Sequence, residues 1–331
     1  LDLEKIMTVN PAKHVQVAII GAGPSGIGAA IGLKRHGIRS VLMMERREEI
    51  GGIPSLYKKK AHTIPTFGIW TQGRMLFGEE YVQQLHKRLS RYETDIKTGC
   101  LVLKIDTKEK SLTTVNPANG VQIITAEAII FACGAREMTL AERGWITGSR
   151  PERIFFTKHL LDLIDNHHCL PFHKPVIFGS DLIAYAAAAK LTAAGASDSI
   201  LIDRHRRPRC SLPERLYFRR WGKPTYHGSV KSLQVVGSHA PSAVKLADGT
   251  LIPCDGIVIS GELVPNSELA LLGNLKVELP SRKPVIIEKY QLSEPGWFTA
   301  GNTLGGFHGA EWCYFNGLRV ARSVVRYLSN S

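Results

Sequence analysis

Gly21-Ala22-Gly23-Pro24-Ser25-Gly26 spaces three glycines as G-x-G-x-x-G. Such a turn can hold a pyrophosphate. The first glycine allows a tight bend, the second lets the backbone approach the phosphates, and the third lets a helix pack closely on a strand. Glu45 follows at the end of the next apolar run. A carboxylate there can bond the hydroxyls of an adenosine ribose. A second turn reads Gly179-Ser180-Asp181-Leu182-Ile183-Ala184, with Asp203 in the place of Glu45. Here Asp181 replaces the second glycine, adding bulk and a charge that repels phosphate. Arg206 and Arg207 lie close behind and suit a ribose 2′-phosphate. These cues conflict. NAD(P) binding at the second turn stays open, and a dinucleotide fold kept as scaffold is the favoured reading.

Other reactive residue types do not assemble. The six cysteines, Cys100, Cys133, Cys169, Cys210, Cys254 and Cys313, form no CxxC pair. They read as free thiols in a reducing compartment. His167, His168, Cys169 and His173 cluster without the spacing of a metal site, so no metal is expected. His308 stands between two candidate cofactor segments, as a proton donor or a plain loop residue. Phe307 and Trp312 could stack on a cofactor or a partner, with core packing the default. No catalytic residue and no substrate-recognition set is assigned.

The elements around the turns read as α/β. Val15 to Ile20 is an apolar run rich in β-branched residues, as in a strand buried on both faces. Ile27 to His36 reads as a helix, and Ser40 to Met44 as a second buried strand. Arg46 to Phe77 is irregular, and Glu79 to Tyr92 is an amphipathic helix. Asp95 to Asp106 and Gly120 to Ile124 read as a small antiparallel layer, followed by a separate buried strand from Glu127 to Ala132. The pattern then restarts: strand Pro175 to Phe178, helix Leu182 to Ala194, strand Ser199 to Ile202. A late strand, Trp297 to Ala300, and a long helix, Gly309 to Leu328, close the pattern. The expected fold is two Rossmann-like three-layer nucleotide-binding domains, the second inserted in the first. The boundaries predicted are 1–140 with 285–331, and 141–284.

The first turn, with Pro24 after the second glycine, resembles the FAD fingerprint of two-dinucleotide-binding-domain flavoproteins of the pyridine nucleotide-disulfide oxidoreductase type. Ala128 to Ala135 resembles that family's strand-to-glycine motif, and Gly296 to Asn302 its late motif, in which most members carry Asp at the position of Asn302. A narrower resemblance rests on Gly51-Gly52-Ile53-Pro54, Gly78-Glu79-Glu80-Tyr81, Gly134-Ala135-Arg136-Glu137 and Glu311-Trp312-Cys313. It is to the FAD-binding α subunits of opine oxidase, hydrogen cyanide synthase and dye-linked proline dehydrogenase. The resemblance implies FAD held by Gly21, Ala22, Gly23, Pro24, Ser25, Gly26, Glu45, Arg46, Gly52, Val102, Ala132, Cys133, Gly134, Gly301, Asn302, Ala310, Glu311 and Trp312. It also implies partner redox subunits, iron–sulfur or flavin, although the branch's cysteine-rich C-terminal extension is absent before Ser331. The disulfide-reducing members place a CxxxxC after the paired glycines, whereas Ile53 to Lys60 holds no cysteine.

The 331 residues allow two or three domains, and 44% hydrophobic with 21% charged residues exclude a disordered or fibrous chain. The formal charge is +13, and Arg204 to Lys223 holds seven Arg and one Lys against Glu214. No nucleic-acid motif accompanies it, so docking of an acidic partner or a remnant phosphate site is the reading. No apolar stretch is long enough to span a membrane, and the start has no secretory pattern, with Met7 a candidate natural start. The chain is therefore expected in the cytoplasm, or peripheral to the membrane within a complex. Three functions remain: the FAD subunit of a multi-subunit dehydrogenase or oxidase of an amine, amino acid or similar small substrate; a stand-alone NAD(P)H-dependent flavoprotein reductase; or an FAD-binding structural subunit without turnover.

Overall fold

The computed structural model describes residues 9–58, 64–306 and 308–330. In chain order the elements used below are β1 (Val9–Ile20), α1 (Pro24–Arg35), β2 (Val41–Met44), α2 (Gly78–Leu89), β3 (Asp95–Lys97), β4 (Leu101–Asp106), β5 (Ser111–Asn116), β6 (Gly120–Phe131), β7 (Ile154–Phe156), α3 (Thr157–Asn166), β8 (Pro175–Phe178), α4 (Leu182–Ala193), β9 (Ile200–Ile202), α5 (Leu212–Phe218), β10 (Thr225–His227), β11 (Gly256–Ile259), β12 (Trp297–Thr299) and α6 (Ala310–Asn330). The described residues divide into two compact units. Unit 1 holds those up to 55, with 65–136 and 264 onward; unit 2 holds 137–263 with the described part of 56–64. The chain thus re-enters unit 1 at 264 rather than at the expected 285. The reason is packing: Ala270 and Leu275 are buried with Ile105 and Leu112 in the core of unit 1.

Unit 1 is built on a seven-stranded sheet ordered β3-β2-β1-β6-β5-β4, with β12 also paired to β6. Strands β1, β2, β3, β6 and β12 run parallel. Strands β4 and β5 are antiparallel. The expected break between Gly120–Ile124 and Glu127–Ala132 does not occur, and β6 is one strand of 12 residues. Ile124, Ala126 and Ala128 are buried while Thr125 and Glu127 alternate outward. Polar residues at every second position mark the outer face, not a turn. Alternation also sorts the core. Ile19, Met43 and Ile130 pack on one face with α1 and α6, and Ile20, Leu42 and Phe131 on the other with Trp297. Helices α1 and α6 touch backbone to backbone. A Cβ on Gly28 would lie 2.2 Å from the Tyr314 carbonyl oxygen, and one on Gly317 would lie 2.1 Å from that of Ser25.

Unit 2 carries a five-stranded parallel sheet ordered β10-β9-β8-β11-β7. Its β8-α4-β9 path repeats the β1-α1-β2 path of unit 1. Helix α4 buries Ala184, Ala187, Ala188 and Leu191. It also buries Lys190, whose ammonium meets the Asp165 carboxylate of α3 with both side chains 3% exposed. A four-stranded sheet of Ile146–Gly148, Leu233–Val236, Ala243–Leu246 and Leu251–Pro253 completes the unit. The basic segment contains α5, which Ser211 and Glu214 close with a capping box. Arg204, Arg206, Arg207, Arg209, Arg219, Arg220 and Lys223 are exposed around it. Among the described residues no helix is long and apolar enough to cross a membrane.

Candidate nucleotide-binding sites

The first turn is shaped by what its glycines exclude. Gly21 donates its N–H to the Met44 carbonyl at 2.7 Å. Its φ is +107°, and a Cβ there would lie 2.4 Å from the Ala132 carbonyl oxygen. At Gly26 a Cβ would lie 2.0 Å from the Gly21 carbonyl oxygen, so helix and turn meet directly. Gly23 differs. It is the N-cap of α1, and the nearest atom to a Cβ there would be Gly52 Cα at 3.7 Å. Packing therefore does not require glycine at 23. What its missing side chain leaves is bare backbone at a helix N-terminus that has no side-chain cap and no acidic residue in its first turn. Unpaired N–H groups and the positive end of the helix dipole favour a phosphate there. Buried Pro24 and Ser25 supply no competing acid.

Residues far apart in sequence border this terminus. Gly51 donates to the Ala22 carbonyl at 2.8 Å, which holds Gly52 against Gly23. Glu45 is buried, and its Oε2 accepts from the Ala22 N–H at 2.9 Å while Oε1 accepts from Arg47 N–H at 3.0 Å. Each carboxylate oxygen keeps a lone pair for a ribose hydroxyl. Gly134 donates to Thr303 Oγ1 at 2.9 Å, and the carbonyls of Cys133 and Gly134 accept from Asn266. Gly301 donates to Asn316 Oδ1 at 2.8 Å, and a Cβ there would lie 2.5 Å from Ser25 Oγ. The structure thus brings Gly23, Gly52, Ala132, Gly134, Ser25 and Gly301 around one end of the parallel strands, where open α/β sheets take their ligands.

Several of the expected contact residues have partners within the chain. Asn302 is tied into its own loop: Oδ1 accepts from the His308 N–H at 2.9 Å and Nδ2 donates to the His308 carbonyl at 3.1 Å. The Glu311 carboxylate accepts from the Trp70 and Thr71 N–H groups at 2.7 and 2.8 Å, capping the single turn Ile69–Gln72. Trp312 stacks on His308 with centroids 3.7 Å apart. Partial burial holds the His308 imidazole below its ordinary pKa, which favours the neutral ring. Arg46 is exposed, whereas its neighbour Arg47 donates to the Gly52 carbonyl and Ser55 Oγ, each at 3.1 Å. Val102 turns into the core, beside Met44 and Cys100. Ala310 opens α6. Phe307 and Met7 lie outside the described residues. Arg47, Asn266, Thr303 and Asn316 were not marked by the sequence.

Burial raises the Cys133 and Cys313 thiols, each to about 12. Cys133 Sγ lies 3.6 Å from the Ile20 carbonyl oxygen and Cys313 Sγ 3.7 Å from that of His308. Protonated thiols of this kind pack and do not attack.

The second turn repeats the first and then departs from it. Gly179 has φ +135°, and a Cβ there would lie 2.3 Å from the Ser260 carbonyl oxygen. Asp181 is the N-cap of α4, and its carboxylate accepts from the Ala184 N–H at 3.2 Å. Asp203 is buried and accepts from Ser180 Oγ and from the His205 backbone and ring nitrogens. Hydrogen bonds from Ser180 and His205 outweigh burial and lower its pKa. Arg143 is buried and donates to the carbonyls of Phe178 at 3.2 Å and of Ser260 and Gly261 at 2.9 Å. These residues do not fit a dinucleotide: the helix N-terminus is capped by a carboxylate, and the strand ends are covered by a guanidinium.

The sequence pattern of the Pyridine nucleotide-disulphide oxidoreductase family matches residues 15–315. An opine oxidase subunit from Rhizobium meliloti is 22% identical over 98% of this chain, which spans 65% of that protein's length. Among solved structures, L-proline dehydrogenase from P. horikoshii superposes with a TM-score of 0.67 at 19% identity, covering 97% of this chain and 57% of that one. Thioredoxin reductase of T. acidophilum superposes with a TM-score of 0.73 at 18% identity, covering 96% and 99%.

Proposed function

The chain belongs to the pyridine nucleotide-disulphide oxidoreductase family, whose members bind FAD and use NAD(P)H, and from that premise we propose that it is the FAD-binding component of a multi-subunit dehydrogenase or oxidase acting on an amine, an amino acid or a similar small substrate. The observation that carries the cofactor assignment is the uncapped N-terminus of α1, left bare by Gly23 and bordered by Gly52. The multi-subunit reading is supported by the likeness, over nearly the whole chain, to the opine oxidase subunit.

When bound, FAD supplies the acceptance of a hydride equivalent and its release as electrons. The protein's share is to bind and orient. The N–H groups at the start of α1 hold the diphosphate, Glu45 holds the adenosine ribose, and Gly134 and Gly301 give backbone access. Thr303, Asn266 and Asn316 lock those two glycines in place. His308, tied to Asn302 through its backbone, holds an imidazole stacked on Trp312 and shifted by partial burial toward the neutral form, in which one ring nitrogen can accept a proton. The enzyme is proposed to work without a redox-active disulfide, because residues 53–60 contain no cysteine and the Cys133 and Cys313 thiols are raised by burial. Six free thiols suit a reducing compartment such as the cytoplasm.

Purified protein is expected to be yellow, with the flavin band near about 450 nm. A colourless protein that takes up no added FAD would overturn the assignment. A stand-alone reductase is the second reading; the family's use of NAD(P)H supports it and the carboxyl cap at the second turn counts against it. Rapid anaerobic bleaching by NADH or NADPH alone would establish it over the partner-fed form.

A further inference from the structure

The two βαβ turns of this chain serve as each other's control. Gly23 and Asp181 are N-caps with nearly the same backbone, φ −75°, ψ −178° and φ −85°, ψ −175°. Gly21 and Gly179 both press on the carbonyl of the neighbouring strand's end, Ala132 in one unit and Ser260 in the other. The glycines that follow those strands, Gly134 and Gly261, share φ values of +71° and +67°. The difference lies in what stands before them. A Cβ on Gly134 would meet nothing within 4 Å, whereas one on Gly261 would lie 2.3 Å from Asp181 Oδ2. The space that unit 1 leaves open, unit 2 fills with a carboxylate.

We propose that Asp181 is a built-in occupant of the second unit's nucleotide seat, so that the native chain takes neither NADH nor NADPH there, and that removing this side chain opens the seat. The proposal concerns unit 2 and goes beyond the assignment of FAD to unit 1. Asp181 does the two things a phosphate would do at that point. Its carboxyl accepts from an N–H of the first turn of α4 and fills the space at the positive end of the helix dipole, where burial raises its pKa. It is 4% exposed, and among the described residues its Oδ2 accepts no hydrogen bond. A diphosphate would have to displace it, since its Oδ2 stands in the space before Gly261. Arg143 reinforces the closure. Its bonds to Phe178, Ser260 and Gly261 cover the carboxyl ends of β8 and β11, and Glu262 pairs with it at 3.6 Å. Asp203, which stands where Glu45 does in unit 1, has the His205 ring on its Oδ1 and Ser180 Oγ on its Oδ2. Family members use NAD(P)H; this arrangement separates the present chain from that habit.

The test is equilibrium binding of NADH and NADPH to the purified full chain without air, read by nicotinamide fluorescence and by calorimetric heat. A missing flavin would show as a colourless protein and would leave this readout intact. Wild type is expected to show no saturation up to about 1 mM nucleotide, a limit near −4 kcal/mol. Asp181→Gly should bind at least one of the two with a Kd tightened by about tenfold or more. Asp181→Asn keeps the cap and the bulk, so it should remain closed. Asp181→Ser, small and still able to cap, serves in place of Gly if that variant does not fold. Saturable wild-type binding that Asp181→Gly leaves unchanged would overturn the proposal. So would a folded Gly or Ser variant that gains no affinity.

Discussion

Gly23 and Gly26 make opposite demands on a substitution. A methyl at 26 collides with the Gly21 carbonyl at 2.0 Å. Gly26→Ala should therefore cost roughly 1–3 kcal/mol of stability even without cofactor, measured by urea unfolding of FAD-free protein. A methyl at 23 meets only Gly52 Cα, at 3.7 Å. Gly23→Ala should leave FAD-free stability within about 1 kcal/mol and weaken FAD binding by about tenfold or more, because the methyl stands where phosphate must approach. If both variants lost stability and affinity in the same proportion, the phosphate role of Gly23 would fail. This contrast also shows what was legible at this scale. Glycine positions are readable because absence of a side chain is a local requirement. Thr303, Asn266 and Asn316 were not, since each bonds backbone brought near only by the fold, at Gly134, Cys133 and Gly301 in turn. Asn302 and Glu311 are expected at the cofactor, and their side chains also have partners that only the fold brings near. These are His308 and the turn at Trp70 and Thr71.

At the scale of elements, two contacts carry unusual risk. Lys190 of α4 and Asp165 of α3 are a buried ion pair, each 3% exposed. Lys190→Met strands a carboxylate in the core and should cost about 3–5 kcal/mol, whereas adding Asp165→Leu should recover most of the loss. A double variant no more stable than the single, by urea denaturation, would count against that account. The α1–α6 contact depends on small residues. Gly28→Val drives a side chain into the Tyr314 carbonyl and should cost about 1–3 kcal/mol or more. Most of these elements were visible as apolar runs or helical stripes. The continuity of β6 was not, because Thr125 and Glu127 look like a turn until β5 and β12 share its edge. Helix α5 was hidden too. Its length of seven residues is too short for a periodic signal, and arginines surround it.

At the scale of the whole molecule, one carboxyl of unit 2 ties stability to pH. Burial raises the Glu137 carboxyl from its ordinary 4.5 to about 7, outweighing the Thr157 hydrogen bond and the nearby Arg143. The folded state then holds a proton that the unfolded chain has released. Stability from this group is complete below about pH 4.5 and is lost as pH rises through about 7, a change on the order of 3 kcal/mol. Glu137→Gln should flatten that slope in urea titrations between these pH values. An unaltered slope would place the proton elsewhere. The insertion of one unit in the other bears on the order in which the protein can mature. Synthesis delivers the chain from its N-terminus, so residues 137–263 all emerge before β12 and α6 exist. Unit 2 can reach its native contacts on the ribosome while α1 still shows the bare glycine face meant for α6. A nascent chain halted near residue 300 should therefore resist protease across unit 2 and be cut within 9–131, a transient that any bound flavin would have to wait out.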